Sequence, residues 1–227
     1  MNLILQHYNG KLDELAQLSV ASIKAYAEAI GADYKLITGK PFRQQLSDQS
    51  QKVHLINEKF DEYNNIVMVD CDVFTHRSIS ENPENIFEAK GMGRHTQIQS
   101  ELVEKMALRN STLANKNAPY WGGAVYKFSR ETRIRLRRAI PDDIILMQLD
   151  RMLKDESIMH YLAWKANISV TSNTYFSGKG NGEEWDMNSF DDIDNANFIH
   201  IRPKWTLQGP KCTKMEIYRD LVEKCVI

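Results

Sequence analysis

Apolar and polar positions change their period several times within the first 75 residues. Asn2 to Tyr8 reads as an opening strand around the apolar run Leu3-Ile4-Leu5, and Asn9-Gly10 closes it with a turn signal. Apolar or small residues then recur at Leu12, Leu15, Ala16, Ser19, Ile23, Tyr26, Ala27 and Ile30, which is the stripe of an amphipathic helix. Gly31 follows where a left-handed residue commonly ends a helix. A second strand is expected from Tyr34 to Ile37, ended by Thr38-Gly39-Lys40-Pro41. Leu46, Val53, Ile56 and Phe60 mark a second helix. Behind Asn64-Asn65, the unbroken apolar run Ile66-Val67-Met68-Val69 reads as a strand buried on both faces. Strand, helix, strand, helix, strand is the order of a parallel sheet with right-handed crossovers. The pattern therefore predicts an α/β chain whose third strand runs straight into Asp70-Cys71-Asp72.

The second half is less regular. Trp121-Gly122-Gly123-Ala124-Val125-Tyr126-Lys127-Phe128 reads as a loop passing into a strand. Helices are expected over 130–138 and 143–153, and Asp155 is placed to N-cap another from about Glu156 to Lys165. Short strands are expected from Ile168 to Thr171 and from Phe198 to Ile201, with a final helix near 213–224. Residues 172–189 are rich in Asn, Ser and Gly and read as a long surface loop of the kind that forms lids. No repeat, low-complexity run or linker divides the chain, so one domain over 1–227 is expected.

Composition excludes some partners. A net charge of −1 over 227 residues offers no global attraction to nucleic acid. Lys127, Arg130, Arg133, Arg135, Arg137 and Arg138 form a local basic run, read first as a solvated helix face. A nucleic-acid, membrane or anionic-acceptor surface is the alternative there. The three cysteines, at 71, 212 and 225, cannot all pair and lack metal-binding spacing, which points to a reducing compartment. The opening apolar run is too short for a signal peptide, and no stretch approaches a membrane span. A cytoplasmic protein is expected, with membrane contact no more than peripheral.

The chemistry concentrates at the end of the third strand. Burying an ionised carboxylate is costly unless it is paired or holds a metal. Asp70 and Asp72 are therefore expected just past the strand, at the carboxyl edge where α/β sheets place ligands. Side chains alternate in extended backbone, so both carboxylates can point the same way. Two hard oxygen donors suit Mg²⁺ or Mn²⁺, and a solvated acidic strand end is the alternative. His200 ends a later strand, and neutral imidazole is an acceptable Mn²⁺ ligand. Lys204 nearby would suit a diphosphate, and Lys52 lies on the helix before the acids.

Taken in order, these elements resemble the metal-dependent nucleotide-sugar glycosyltransferases of the Asp-x-Asp, GT-A type. Lys52 through Asp70-Cys71-Asp72-Val73 is similar to that family's basic helix, turn and metal strand. Trp121-Gly122-Gly123-Ala124-Val125 resembles its glycine-containing strand beside the donor sugar, and Asp155-Glu156-Ser157 its acidic motif near the acceptor. His200 with Lys204-Trp205 is similar to the late His…Lys-Pro-Trp element of glycogenin-like and galactosyltransferase relatives. Here Pro203 precedes the lysine and the spacing is shorter.

The resemblance implies a Rossmann-like, mainly parallel sheet flanked by helices, with a nucleotide-binding half over 1–75 and a donor-sugar and acceptor half over 115–205. It implies a UDP- or GDP-sugar donor, a hydroxyl acceptor such as a glycan, a role in polysaccharide biosynthesis, and Mn²⁺ or Mg²⁺ held by Asp70, Asp72 and His200. Asp70 would reach the ribose or a metal-bound water while Asp72 ligates directly. Gln6, His7 and Tyr8 would flank the nucleoside, and Gly122 and Gly123 would let backbone approach the sugar. Asp155 would be the base of an inverting transfer or only a helix cap, with retention the alternative. A haloacid-dehalogenase-type phosphatase also places Asp-x-Asp after an apolar strand. However, Phe74 occupies a position usually Thr or Val there, and the chain has no Gly-Asp dipeptide. A Gly-rich phosphate loop for nucleotidyl transfer is missing after the first strand. A non-catalytic sugar-nucleotide-binding domain is the remaining alternative.

Overall fold

A computed structural model of the chain describes residues 1–81, 83, 85–88, 97–118, 122–168, 184–186, 198–202, 205–206, 209–210 and 212–227. Its main sheet is four-stranded, in the order β2 (Asp33–Thr38), β1 (Asn2–Tyr8), β3 (Asn65–Val69), β5 (Val125–Ser129). Strands β1, β2 and β3 run parallel, and β5 lies antiparallel to β3. Helix α1 (Glu14–Ala29) makes the first crossover, N-capped by Asp13 and followed by Gly31 at φ +69°. Ile66 and Met68 face one core with Leu3 and Leu5, whereas Val67 and Val69 face another with Ile4, Ile23 and Tyr26. Burial on both faces is why the third strand is apolar without alternation. Each such side chain contributes about 1.5–3 kcal/mol.

The expected second helix is instead two tight 3₁₀ segments, Gln49–Ile56 and Glu58–Phe60. Every residue from Ser50 to Ile56 is buried, so this stretch has no solvent stripe. It is wedged against helix α5 (Asp143–Lys165) and helix α4 (Arg130–Arg138). Helix α5 joins two of the expected helices across a kink at Leu153 and Lys154. Lys154 takes φ 56° and ψ −135°, a region few residues but glycine adopt. Ser157 spans the kink, accepting from the Leu153 amide at 3.2 Å and donating toward the Leu149 carbonyl at 2.5 Å.

Past the acids the chain turns into β4 (Val73–Thr75). This strand pairs antiparallel with β7 (Phe198–His200), which pairs parallel with β6 (Glu184–Asp186). The register sets His200 opposite Val73, one residue beyond Asp72. Helix α6 (Lys214–Glu223) seats Ile217 and Leu221 in a cluster with Leu15 of α1 and Phe74 of β4. Helices α2 (Arg77–Glu81) and α3 (Gln97–Arg109) and a hairpin of β8 (Trp205–Thr206) and β9 (Gly209–Pro210) complete the described elements.

The basic run is a solvated face only in part: Arg130, Arg135 and Arg138 are exposed, whereas Lys127 and Arg133 are buried and Arg137 is half-buried. Arg133 is fully buried and donates to the carbonyls of Phe60, Tyr63 and Phe128, and Lys127 donates to Ile86 at 2.9 Å. Arg137 is paired with Asp61 at 2.7 Å, and Arg135 donates to the carbonyls of Ala166 and Asn167. These cations satisfy carbonyls where chain segments end, a need that residue counting along a helix does not reveal. Among the described residues no helix is long and apolar enough to cross a membrane. The expected strand from Ile168 to Thr171 lies outside the described residues from 169 onward, as does the loop over 172–189 apart from the backbone of β6.

Candidate functional site

The carboxyl ends of β1 and β3 open into a cleft of about 330 Å³ whose lining includes His7, Tyr8, Lys52, Asp70, Asp72 and Lys214. Asp70 and Asp72 stand on the turn between β3 and β4. The Asp70 amide donates to the Ala124 carbonyl at 2.9 Å, which fixes the turn against the chain entering β5. From behind, the Gln6 carboxamide donates to the Asp70 carbonyl and to the Ser19 hydroxyl, both at 3.1 Å, and accepts from the Tyr34 hydroxyl at 2.8 Å. Gln6 is fully buried and braces the turn from outside the cleft lining.

One carboxylate oxygen of Asp70, one of Asp72 and a ring nitrogen of His200 all lie within 4.8 Å of one another. Asp72 Oδ1 is buried and has no hydrogen-bond partner, although His200 Nε2 approaches it to 3.3 Å. An orphaned carboxylate oxygen facing a second carboxylate and an imidazole fits a divalent cation. Two oxygen donors with one imidazole suit Mn²⁺ well, and Mg²⁺ through the oxygens. The other Asp72 oxygen is paired with the ammonium of Lys214. Burial pushes the Asp72 carboxyl up, but His200 and Lys214 outweigh it and hold the group well below the usual carboxylate range.

Lys52 forms the second knot of charge. Its ammonium lies 2.8 Å from Asp70 Oδ1 and 3.0 Å from Asp155 Oδ2, and it donates to the Gly123 carbonyl at 2.7 Å. Burial alone would lower its pKa, yet Asp155 and Asp70 raise it, so the lysine stays charged. Burial pushes the Asp70 carboxyl up to about 7 against the pull of Lys52, with Asp72 and Asp155 adding to the rise. Asp155 accepts from the Tyr126 hydroxyl at 2.9 Å. Its bonds go to side chains rather than to the first-turn amides, so it is no N-cap. Gly123 donates its amide to Glu156 Oε1 at 2.8 Å. A Cβ at Gly123 would stand 2.5 Å from Asp155 Oδ2 and 3.2 Å from Lys52 Nζ, so glycine is what lets these groups meet.

The sequence-predicted residues thus divide. His7 and Tyr8 line the cleft, the first donating from Nε2 to Gly39 at 2.7 Å and the second from its hydroxyl to Asp13 at 2.9 Å. Gly122 is half-buried before Gly123. Trp121 and Lys204 lie outside the described residues. Sequence reasoning missed Lys214, Tyr126 and Glu156 as members of the charged network. Glu156 and Tyr126 lie inside segments already noted, whereas nothing local marks Lys214.

No protein-family model and no curated protein sequence matches the chain. Solved structures do. The chain superposes on a glycosyltransferase involved in glycosylation of the major capsid of PBCV-1 with a TM-score of 0.59 and 10% identity, covering 97% of this chain and 98% of that one. An active-site mutant of LgtC gives a TM-score of 0.52 and 12% identity, with 99% and 96% covered. The bifunctional glycosyltransferase WbbM gives 0.53 and 11%, and the match spans 98% of this chain but 49% of WbbM. At such identities the likeness establishes architecture. The chain has the GT-A fold of these glycosyltransferases, with an Asp-x-Asp group beside His200 at the carboxyl edge of its parallel strands.

Proposed function

We propose that the protein is a metal-dependent glycosyltransferase that moves a sugar from a UDP- or GDP-sugar to a hydroxyl of a glycan or other acceptor. The observation that carries this reading is the convergence of Asp70, Asp72 and His200 around an orphaned carboxylate oxygen, in a fold shared with glycosyltransferases. That fold favours the reading over the phosphatase alternative. In this scheme the chain is one catalytic unit over 1–227. Asp70, Asp72 and His200 hold the ion, which when bound supplies a Lewis acid against the negative charge of a departing nucleoside diphosphate. His7 and Tyr8 flank the nucleoside, Lys204 serves the diphosphate, and Trp121 and Gly122 border the donor sugar.

Lys52 ties Asp70 to Asp155 and to the Gly123 carbonyl just before β5. The buried lysine holds Asp155 in a single orientation and keeps a fixed positive charge beside Asp70. Asp155 is the proposed base for an inverting transfer. Its bonds to Lys52 and Tyr126 favour an additional orienting role, and anomeric configuration in the product separates the two.

The direct test is binding of UDP and GDP with and without Mn²⁺, followed by turnover of sugar nucleotides. Asp72→Ala is expected to abolish Mn²⁺-dependent binding of the nucleoside diphosphate while the circular dichroism spectrum stays native. Unchanged metal-dependent affinity in that variant would sink the assignment.

A further inference from the structure

We propose that Lys214 is an internal counter-ion that competes with the metal for the charge of Asp72, so that a divalent ion binds tightly only together with a diphosphate that takes up the displaced ammonium. The inference rests on the reading of Asp70, Asp72 and His200 as the metal ligands. It concerns a lysine that no motif marks, 142 residues from its partner.

Lys214 begins α6, whose start is locked by a reciprocal capping box between Thr213 and Glu216. Ile217 and Leu221 bolt the same helix to α1 and β4. The backbone of Lys214 is therefore fixed at the cleft rim, and its long side chain reaches in to Asp72. An incoming divalent ion needs that same carboxylate. An ammonium and a divalent ion on one carboxyl group repel strongly in a partly buried site. With one cation at each oxygen the two share a single negative charge, so the ion weakens the hold on Lys214, whose side chain is the one able to swing away: it is 42% exposed, against 18% for Asp72.

Lys52 cannot play this part. It is buried and tied to Asp70, Asp155 and the Gly123 carbonyl at once, so it stays in place whatever binds. A released Lys214 ammonium remains at the rim of the cleft, where the negative charge of a diphosphate would receive it. Metal and diphosphate then each favour the other, and linkage makes the factor the same in both directions.

The experiment is calorimetric titration of Mn²⁺ into the full chain and into Lys214→Met, each with and without saturating UDP. Lys214→Met is expected to bind Mn²⁺ alone at least about fivefold more tightly, and UDP should improve its Mn²⁺ affinity by a smaller factor than in the parent protein. Lys214→Gln, read the same way, guards against an effect of the methionine itself. Equal Mn²⁺ affinity in parent and variants, with binding still abolished by Asp72→Asn, would overturn the inference and leave the metal reading standing. No Mn²⁺ binding to any of these proteins, even with UDP, would overturn both.

Discussion

At the scale of single residues, the site is governed by how buried charges are paired. Asp155 is nearly inaccessible, and Lys52 is its one cationic partner among the described residues. Removing one member of a buried pair leaves the other uncompensated. Lys52→Met is therefore expected to lower stability by about 3–5 kcal/mol in urea denaturation, with Asp155→Asn in the same chain recovering part of the loss. Gly123→Ala should cost about 1–3 kcal/mol, because the new methyl collides with a carboxylate that cannot retreat. Asp155→Asn alone tests the proposed base: turnover is expected to fall by about 10²–10⁴ with donor affinity little changed. A retained anomeric configuration, read by NMR, would remove Asp155 from that role.

Two elements carry strain or latent titration. The kink in α5 holds Lys154 in backbone space suited to glycine, yet it is the kink that aims Asp155 and Glu156 at Lys52 and Gly123. Lys154→Gly is expected to stabilise the protein by about 1 kcal/mol with the site intact, measured by the denaturation midpoint. In the 3₁₀ segment, burial pushes the His54 imidazole down to about 4, with Lys59 and His7 acting in the same sense, and its Nε2 has no partner. The unfolded chain binds this proton more readily than the native one. The contribution is thus whole above about pH 6.5 and is lost as pH falls towards 4, on the order of 2–3 kcal/mol. His54→Phe should flatten the acid limb of a stability–pH curve.

For the whole molecule, the arrangement that matters is convergence. The main sheet delivers the acids, the small sheet brings His200, and α6 brings Lys214. Ligands that bind the native state alone raise its stability by mass action. UDP with Mn²⁺ at about a hundred times the dissociation constant should add about 2.7 kcal/mol, seen as a rise in melting temperature that neither component reproduces separately.

The sequence by itself determined the alternation of strands and helices over residues 1–75 and the placing of Asp70 and Asp72 just past the third strand. It also marked the helices over 130–138, 143–153 and 156–165, the last two of which the fold joins across a kink, and the final helix. These features are local, because burial of a face or stripe is written in the spacing of neighbouring residues. The 3₁₀ form of 49–60 was not legible, since its central stretch, Ser50 to Ile56, is buried all round and has no periodicity to distinguish it. The basic run misled in part, for a related reason: Arg130 and Arg138 are exposed as read, but Arg133 and Arg135 answer carbonyls from Phe60, Tyr63 and Ala166, segments that meet only in the fold. Only tertiary structure decided which cation faces which acid. Lys52 and Lys214 carry the same charge, but one is enclosed by three fixed partners and the other reaches in from a cleft rim. That difference lies in packing and strand register, which no spacing along the chain encodes.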